Sequence, residues 1–508
     1  MHYLPPAERQ EQLISKIFSL RFLSVPPCGP PAYLASLDWS LPFSIRLKLL
    51  CFAYSRDGTR TILTRPLPAA HLGLCRMHFL PFLFVGAIIA GATMIPSSKN
   101  NGPTIHEFAS PVTYSSLRYV NNSGICETTP GVHTMSGYVD TSTTVHTWFW
   151  FFAARHDPQS APIHVVTTEL NPHTWNTVSN MIYIDQPTGT GFSYGTDTIN
   201  STYAAAPAIW RVLQTLFSSP EFSAYQSREF ILATESYGGH YGPKFAQYFE
   251  VQNNLIAGGK LNGIQINLVA LMINNGWIDP LIQYQAYVTF AQNAPGYGPL
   301  VNQSTVKRMN DSYYNSKGCL AQQRACYNAG NSGSSNGICS DADDICASLF
   351  LDAVGNRDPY DLRQNSSEAF PPEAIGAISS NYSECPYPPQ ELFSRTSDDA
   401  RTLLPQLGNV LVWAGDTDII CNWVGNQAVV LAMQWSGKAE LNATPLTNIT
   451  LSGKTIAAVQ NVKKFSFARV YAAGHEGVSL TYFQPAFQPA AALAIFKQII
   501  AGQPLHSV

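Results

Sequence analysis

The apolar positions of this chain fall into short runs separated by polar and glycine-rich stretches. Phe230-Ile231-Leu232-Ala233, Val410-Leu411-Val412-Trp413 and Leu268-Val269-Ala270-Leu271-Met272-Ile273 are continuous runs of strand length, the pattern of strands buried on both faces. Asn180-Met181-Ile182-Tyr183-Ile184 reads as another strand, and residues 465–470 alternate. Residues 136–152 alternate and then turn aromatic, ending in Trp148-Phe149-Trp150-Phe151-Phe152, as early strands of a sheet would. Helical spacing appears at 204–217, at 243–249 with Pro243 near its start, and at 490–500. Strands alternating with helices predict an α/β fold, a mostly parallel central sheet with helices on both faces. Residues 281–400 are rich in Cys, Gly and Ser and interrupt this alternation. They read as a cysteine-containing cap inserted between the first part of the core, 110–280, and its last part, 401–508. Residues 93–110 are polar and read as a mature N-terminus or pro-segment.

The candidate chemistry sits at the ends of three of these strands. Thr234-Glu235-Ser236-Tyr237-Gly238-Gly239 joins the run at 230–233 to the helix behind it. A serine on a sharp strand-to-helix turn is held out of the sheet with its hydroxyl exposed. The first glycine of the usual Gly-x-Ser-x-Gly is Thr234 here. The amide of Tyr237 falls at a helix N-terminus, where it can donate to an oxyanion. The run at 410–413 leads into Gly415-Asp416-Thr417-Asp418, and the run at 465–470 into Ala473-Gly474-His475. Serine, aspartate and histidine in that order, each just past a strand, is the arrangement of an α/β-hydrolase triad. A hydroxyl needs a base to become a nucleophile, and the base needs an acid to fix its tautomer.

These stretches resemble the serine carboxypeptidases, most of all the fungal secreted or vacuolar members. The resemblance rests on Glu-Ser-Tyr-Gly-Gly-His-Tyr-Gly-Pro at 235–243, Gly-Asp-Thr-Asp-Ile-Ile-Cys-Asn-Trp at 415–423 and Ala-Gly-His-Glu at 473–476. Asp-Gln-Pro-Thr-Gly-Thr-Gly-Phe-Ser-Tyr at 185–194, Ser-Gly-Tyr-Val-Asp at 136–140 and Asn-Gly-Trp-Ile-Asp-Pro at 275–280 add to it. It implies a hydrolase that releases C-terminal residues through Ser236 as nucleophile, with His475 as base and Asp418 as orienting acid. Asp416 is the rival acid; the resemblance favours Asp418 and leaves Asp416 tying the turn to backbone amides. Tyr237 and Gly238 would line the substrate site, with Cys421 a buried thiol near it. Glu235 would help hold the substrate's terminal carboxylate, which requires a shared proton and favours acidic pH. The substrates are peptides or proteins, with no cofactor and no metal. An esterase or acyltransferase on the same scaffold is the competing activity.

The sequence also departs from the family pattern. A segment of the type Trp-Leu-Asn-Gly-Gly-Pro-Gly is expected before the Asp185 loop, but residues 161–166 run straight into 167–175. That segment supplies the second oxyanion amide and groups that hold the terminal carboxylate. The stretch from Asn365 to Val410 is short, and Gly477-Val478-Ser479-Leu480-Thr481 replaces an expected Val-Pro after Glu476. Misplaced splice boundaries in the gene explain these departures; a natural pseudoenzyme is the alternative.

Composition sets the compartment. The chain has 508 residues, 45% hydrophobic and 12% charged, with a net charge of −3, so nothing suggests nucleic acid. Residues 1–76 show no sustained period and read as a spurious extension. Met77 opens a short apolar run ending in small residues, 77–95, which reads as a signal peptide; a membrane anchor behind a cytosolic tail is the alternative. Secretion to the extracellular space or a vacuolar lumen follows, with no stable membrane insertion after signal cleavage. Cys319, Cys326, Cys339 and Cys346 are symmetrically spaced, which suits nested pairs, 319 with 346 and 326 with 339, although connectivity stays open from sequence. Cys126 with Cys385 would be the long-range pair, leaving Cys421 unbridged. A zinc site is the competing reading of the cluster, but no histidine accompanies it. Glycosylation sequons occur at Asn121, Asn200, Asn302, Asn310, Asn365, Asn381, Asn442 and Asn448. The sequence assigns no oligomeric state.

Overall fold

The computed structural model describes residues 104–123, 127, 129–158, 163–164, 173–196, 199, 201–330, 336–365, 408–475 and 488–508. The expected signal segment, Cys126, Cys385, Asn200, Asn381 and the missing-motif junction at 165–172 lie outside them.

The centre of the fold is a parallel ladder. Strand β5 (Ile163–His164) lies between β6 (Asn180–Ile184) and β8 (Phe230–Glu235), and β9 (Leu268–Asn274), β10 (Asn409–Gly415) and β13 (Phe465–Val470) continue the sheet. Neighbours along this path are parallel. Strands β9 and β10 are buried on both faces, as their continuous runs predict, and so is β13, which reads as alternating. Leu271, Ile273, Val410, Val412, Phe465 and Phe467 pack into one cluster, and Ala270, Met272, Leu411, Trp413, Ala468 and Val470 into another. Alternate side chains therefore enter cores on opposite faces, which explains why β9 and β10 read as continuous apolar runs; Ser466 and Arg469 interrupt the run in β13. Truncating fully buried Trp413 to alanine would cost about 3–5 kcal/mol.

The flanks are antiparallel, which the periodicity did not predict. On one side β1 (Ile105–Ala109), β2 (Ser116–Asn121), β3 (Thr134–Ser142) and β4 (Val145–Phe152) lead to β6, and β7 (Tyr194–Gly195) pairs with β4. On the other, β12 (Lys454–Val462) joins β13 to β11 (Thr447–Leu451). Strand β1 lies in the stretch read as a polar N-terminus. Its side chains are exposed or half-buried along its whole length, so backbone pairing to β2 defines it and no apolar signal marks it.

Helices cover the sheet. The spacing at 204–217 forms α1 (Thr202–Ser218), capped by Ser201 accepting from the Ala204 amide at 3.2 Å. Helix α2 (Gly238–Ala257) begins five residues before the expected Pro243 start. Both bury against β2–β4 residues Leu117, Met135, Phe149 and Phe151. Helix α3 (Pro280–Gln292) opens on Asp279 as cap and Pro280. Its Tyr284, Tyr287, Val288 and Phe290 pack in the cluster of Leu271 and Val412, so this helix is part of the core face. Helices α4 (Gln303–Tyr314), α5 (Cys319–Ala329) and α6 (Asn336–Val354) follow. Disulfides Cys319–Cys346 and Cys326–Cys339 staple α5 to α6 in the nested order, which removes the zinc alternative. Beyond β10 come α7 (Trp423–Ala432) and α8 (Lys438–Ala443), and α9 (Pro489–Ile500) closes the chain. Phe496 of α9 stacks on Trp175 at 4.4 Å. No helix among the described residues is long and apolar enough to cross a membrane.

Candidate active site

Ser236 sits between β8 and α2 with φ +58°, a left-handed conformation that a non-glycine residue adopts at measurable cost. The turn is over-determined by its neighbours. The Ser236 amide donates to Asn274 O at 3.0 Å, and the Ser236 carbonyl accepts from the amides of Trp277 at 2.7 Å and Gly239 at 3.0 Å. A Cβ at Gly238 would fall 2.5 Å from Thr234 Cβ, and one at Gly239 2.4 Å from Trp277 O. These glycines are therefore required by close approach. Thr234 closes the other side of the turn, its hydroxyl donating to Gly238 O at 3.0 Å. Tyr237 is the cap residue of α2, its ring stacked on His240 at 4.6 Å. Burial pushes the His240 imidazole down to about 4, so it stays neutral in mildly acidic solution. Ser236 itself is half-buried and reachable.

Asp418 and His475 meet past the ends of β10 and β13. His475 Nδ1 lies 2.8 Å from Asp418 Oδ2, and both residues are buried. That same Oδ2 accepts from Asn275 Nδ2 at 2.7 Å and from the Cys421 amide at 3.1 Å. Three hydrogen bonds to one carboxylate oxygen fix the plane of the carboxylate. The acid loop is held at both ends: Gly415 N donates to Asn275 Oδ1 at 3.0 Å, and Asn422 caps α7 through the Gly425 amide at 3.0 Å. His475 is further fixed by its own amide, which donates to Tyr360 O at 2.8 Å.

Asp416 has a different part. It pairs with Arg469 at 2.9 Å and accepts from Tyr297 Oη at 3.0 Å and from the Ala472 amide at 2.8 Å. It ties the acid loop to the end of β13, leaving Asp418 as the residue on the imidazole. Cys421 is buried and in no disulfide. Asp418, Cys421 and His475 offer ligand atoms within 4.8 Å of one another, a set a thiophilic metal ion could bridge.

Glu235 is half-buried beside the serine, its Oε2 accepting from Asn274 Nδ2 at 2.7 Å. Asn274 Nδ2 also reaches His475 O at 3.0 Å. Asn274 and Asn275 thus link all three arms, and neither was assigned a role from sequence. The available signal was two polar residues closing the apolar run at 268–273, at the carboxyl end of a parallel strand where α/β folds place their sites.

A family profile described as serine carboxypeptidase matches residues 164–502. The chain belongs to the serine carboxypeptidase family. It is 41% identical over 440 residues to Carboxypeptidase S1 of Penicillium janthinellum, covering 77% of this chain and 100% of that protein. It is 30% identical over 432 residues to Carboxypeptidase Y homolog A of Arthroderma otae, covering 74% of this chain and 75% of that one. Among solved structures, the prohormone-processing carboxypeptidase Kex1 from Saccharomyces cerevisiae matches with a TM-score of 0.53 at 17% identity, over 73% of this chain and 91% of that one. At that identity the match speaks to fold, and it agrees with the α/β-hydrolase arrangement expected from the strand order. As a serine carboxypeptidase the chain is a hydrolase, and its motifs at 235–243 and 415–423 lie inside the matched span.

Proposed function

We propose that this serine carboxypeptidase releases C-terminal amino acids from peptides and proteins through an acyl-enzyme on Ser236. The observation that carries the proposal is the 2.8 Å contact between His475 Nδ1 and Asp418 Oδ2. Asp418 Oδ2 accepts a hydrogen bond from the Nδ1–H of His475, which leaves Nε2 with its lone pair as the base. His475 takes the Ser236 proton as Oγ attacks the carbonyl of the last peptide bond. The proton then passes to the leaving amine, and the peptide bond breaks to leave an ester on Ser236. Water, deprotonated by the same imidazole, hydrolyses the ester. The Tyr237 amide at the start of α2 is suited to the developing oxyanion. Glu235 takes the terminal carboxylate with a shared proton, which places the working range at acidic pH. Extracellular or vacuolar location fits the two disulfides and the exposure of Asn302, Asn365, Asn442 and Asn448.

One observation favours a second reading, a catalytically impaired relative. Residues 161–166 run straight into 167–175, where the family resemblance leads one to expect a Trp-Leu-Asn-Gly-Gly-Pro-Gly type of segment. The test is release of C-terminal residues from N-blocked dipeptides at acidic pH, beside Ser236→Ala. Release that the substitution abolishes supports the first reading. A folded chain with no release establishes the second.

A further inference from the structure

Asn274 ends β9 and is 5% exposed. Its carbonyl accepts the Ser236 amide at 3.0 Å. Its single amide nitrogen donates to Glu235 Oε2 at 2.7 Å and to the His475 carbonyl at 3.0 Å. An amide nitrogen carries two protons, and these two acceptors use both. The orientation is dictated by the His475 carbonyl, which cannot donate: turning the amide over would set two oxygens against each other at 3.0 Å. Asn274 Oδ1 is buried and has no partner among the described residues. A residue whose only task was to end a strand would have no reason to bury an unpaired acceptor. The amide is retained for the two bonds it donates.

We propose that Asn274 is a positioning residue for carboxylate recognition, locking the Glu235 side chain to the backbone of the catalytic histidine. This rests on the reading of Glu235 and His475 given above. The carboxyl that greets the substrate's terminal carboxylate and the loop that carries the base are then held by one planar group. A substrate that engages Glu235 is placed in fixed register with His475. A substrate whose terminus is neutral gains less from that register, because its contact with Glu235 does not need the carboxyl held in one place. Asn274 therefore acts on the choice between free and blocked termini more than on chemistry at Ser236.

The test compares an N-blocked dipeptide with the same dipeptide amidated at its C-terminus. Wild type, Ser236→Ala, Asn274→Ala and Asn274→Asp are assayed for kcat and KM on both, with thermal unfolding measured alongside. Asn274→Asp keeps the side-chain shape and removes both donors, so it serves where the alanine variant fails to fold. The expected result is a fall in kcat/KM on the free acid of roughly 10- to 100-fold, mostly in KM, with a fall several-fold smaller on the amide. The preference for the free acid shrinks accordingly. Loss by the same factor on both substrates would mark Asn274 as merely structural and overturn the proposal. A wild type with no preference for the free acid overturns this proposal together with the role of Glu235. A wild type that prefers it, beside asparagine variants that keep that preference, overturns this proposal alone.

Discussion

The two sides of Ser236 carry different parts of the proposed mechanism. Toward β9, β10 and β13, the ladders run to six, five and six paired positions, and every strand end carries a side chain bonded to the next. Toward β5 and β6, the described residues of β5 pair with β8 at Ile163 and with β6 at Ile163 and His164. In the proposed mechanism the first side supplies base, acid and their supports. The second is the side on which the family's segment for the second oxyanion donor and carboxylate contacts is expected. Proton transfer and oxyanion stabilisation are separable contributions, and the proposed mechanism draws the base and acid from one half of the sheet and expects the second oxyanion donor on the other.

The largest effect that sharpens this comparison is at the nucleophile. Ser236→Ala should lower C-terminal release by on the order of 10⁴-fold or more, read as kcat on a blocked dipeptide. Asp418→Asn should cost on the order of 10⁴-fold at neutral pH by upsetting the histidine tautomer, with secondary structure unchanged by circular dichroism. On the opposite half, inserting a segment of the type Trp-Leu-Asn-Gly-Gly-Pro-Gly between Val166 and Thr167 should raise kcat by roughly 10²–10³-fold. No gain in a folded graft would mean that the truncated side is not limiting.

Smaller effects concern stability. Asn275→Ala leaves buried Asp418 and the Gly415 amide each short of one bond, at a cost of about 1–3 kcal/mol, measured by denaturant unfolding. Asp343 of α6 is half-buried, and burial raises its carboxyl from 3.8 to about 6, although Tyr284 Oη donates to it. The folded state therefore holds this proton more tightly than the unfolded chain. That contribution is fully present below about pH 4 and is lost as pH rises through about 6. Asp343→Asn should flatten that fall and raise the melting temperature at pH 7 relative to wild type. An unchanged profile would place the carboxyl in water.

What was legible in the sequence follows the same division. Strands β8, β9 and β10 announced themselves as continuous apolar runs and β13 by alternation, and the serine, aspartate and histidine were read from their places just past such strands. Helix α2 was placed too late: Pro243 lies inside it, and the glycines before it read as turn because their role is close approach to Thr234 and Trp277. Strands β1 and β11 carry few buried side chains, so their pairing left no apolar trace. Asn274 and Asn275 escaped because their value comes from residues up to 201 positions away, and no local pattern encodes such a contact. The nested cysteines, by contrast, were readable because their partners lie 13 and 27 positions apart in one stretch.

The central claim is that Ser236, His475 and Asp418 form a working line of nucleophile, base and acid whatever the state of the opposite half. Labelling with a fluorophosphonate, followed by peptide mapping, tests it without requiring turnover of a peptide. One label per chain on Ser236, lost in His475→Ala, is the predicted result. A folded chain that takes no label, or one labelled equally well without His475, would contradict it.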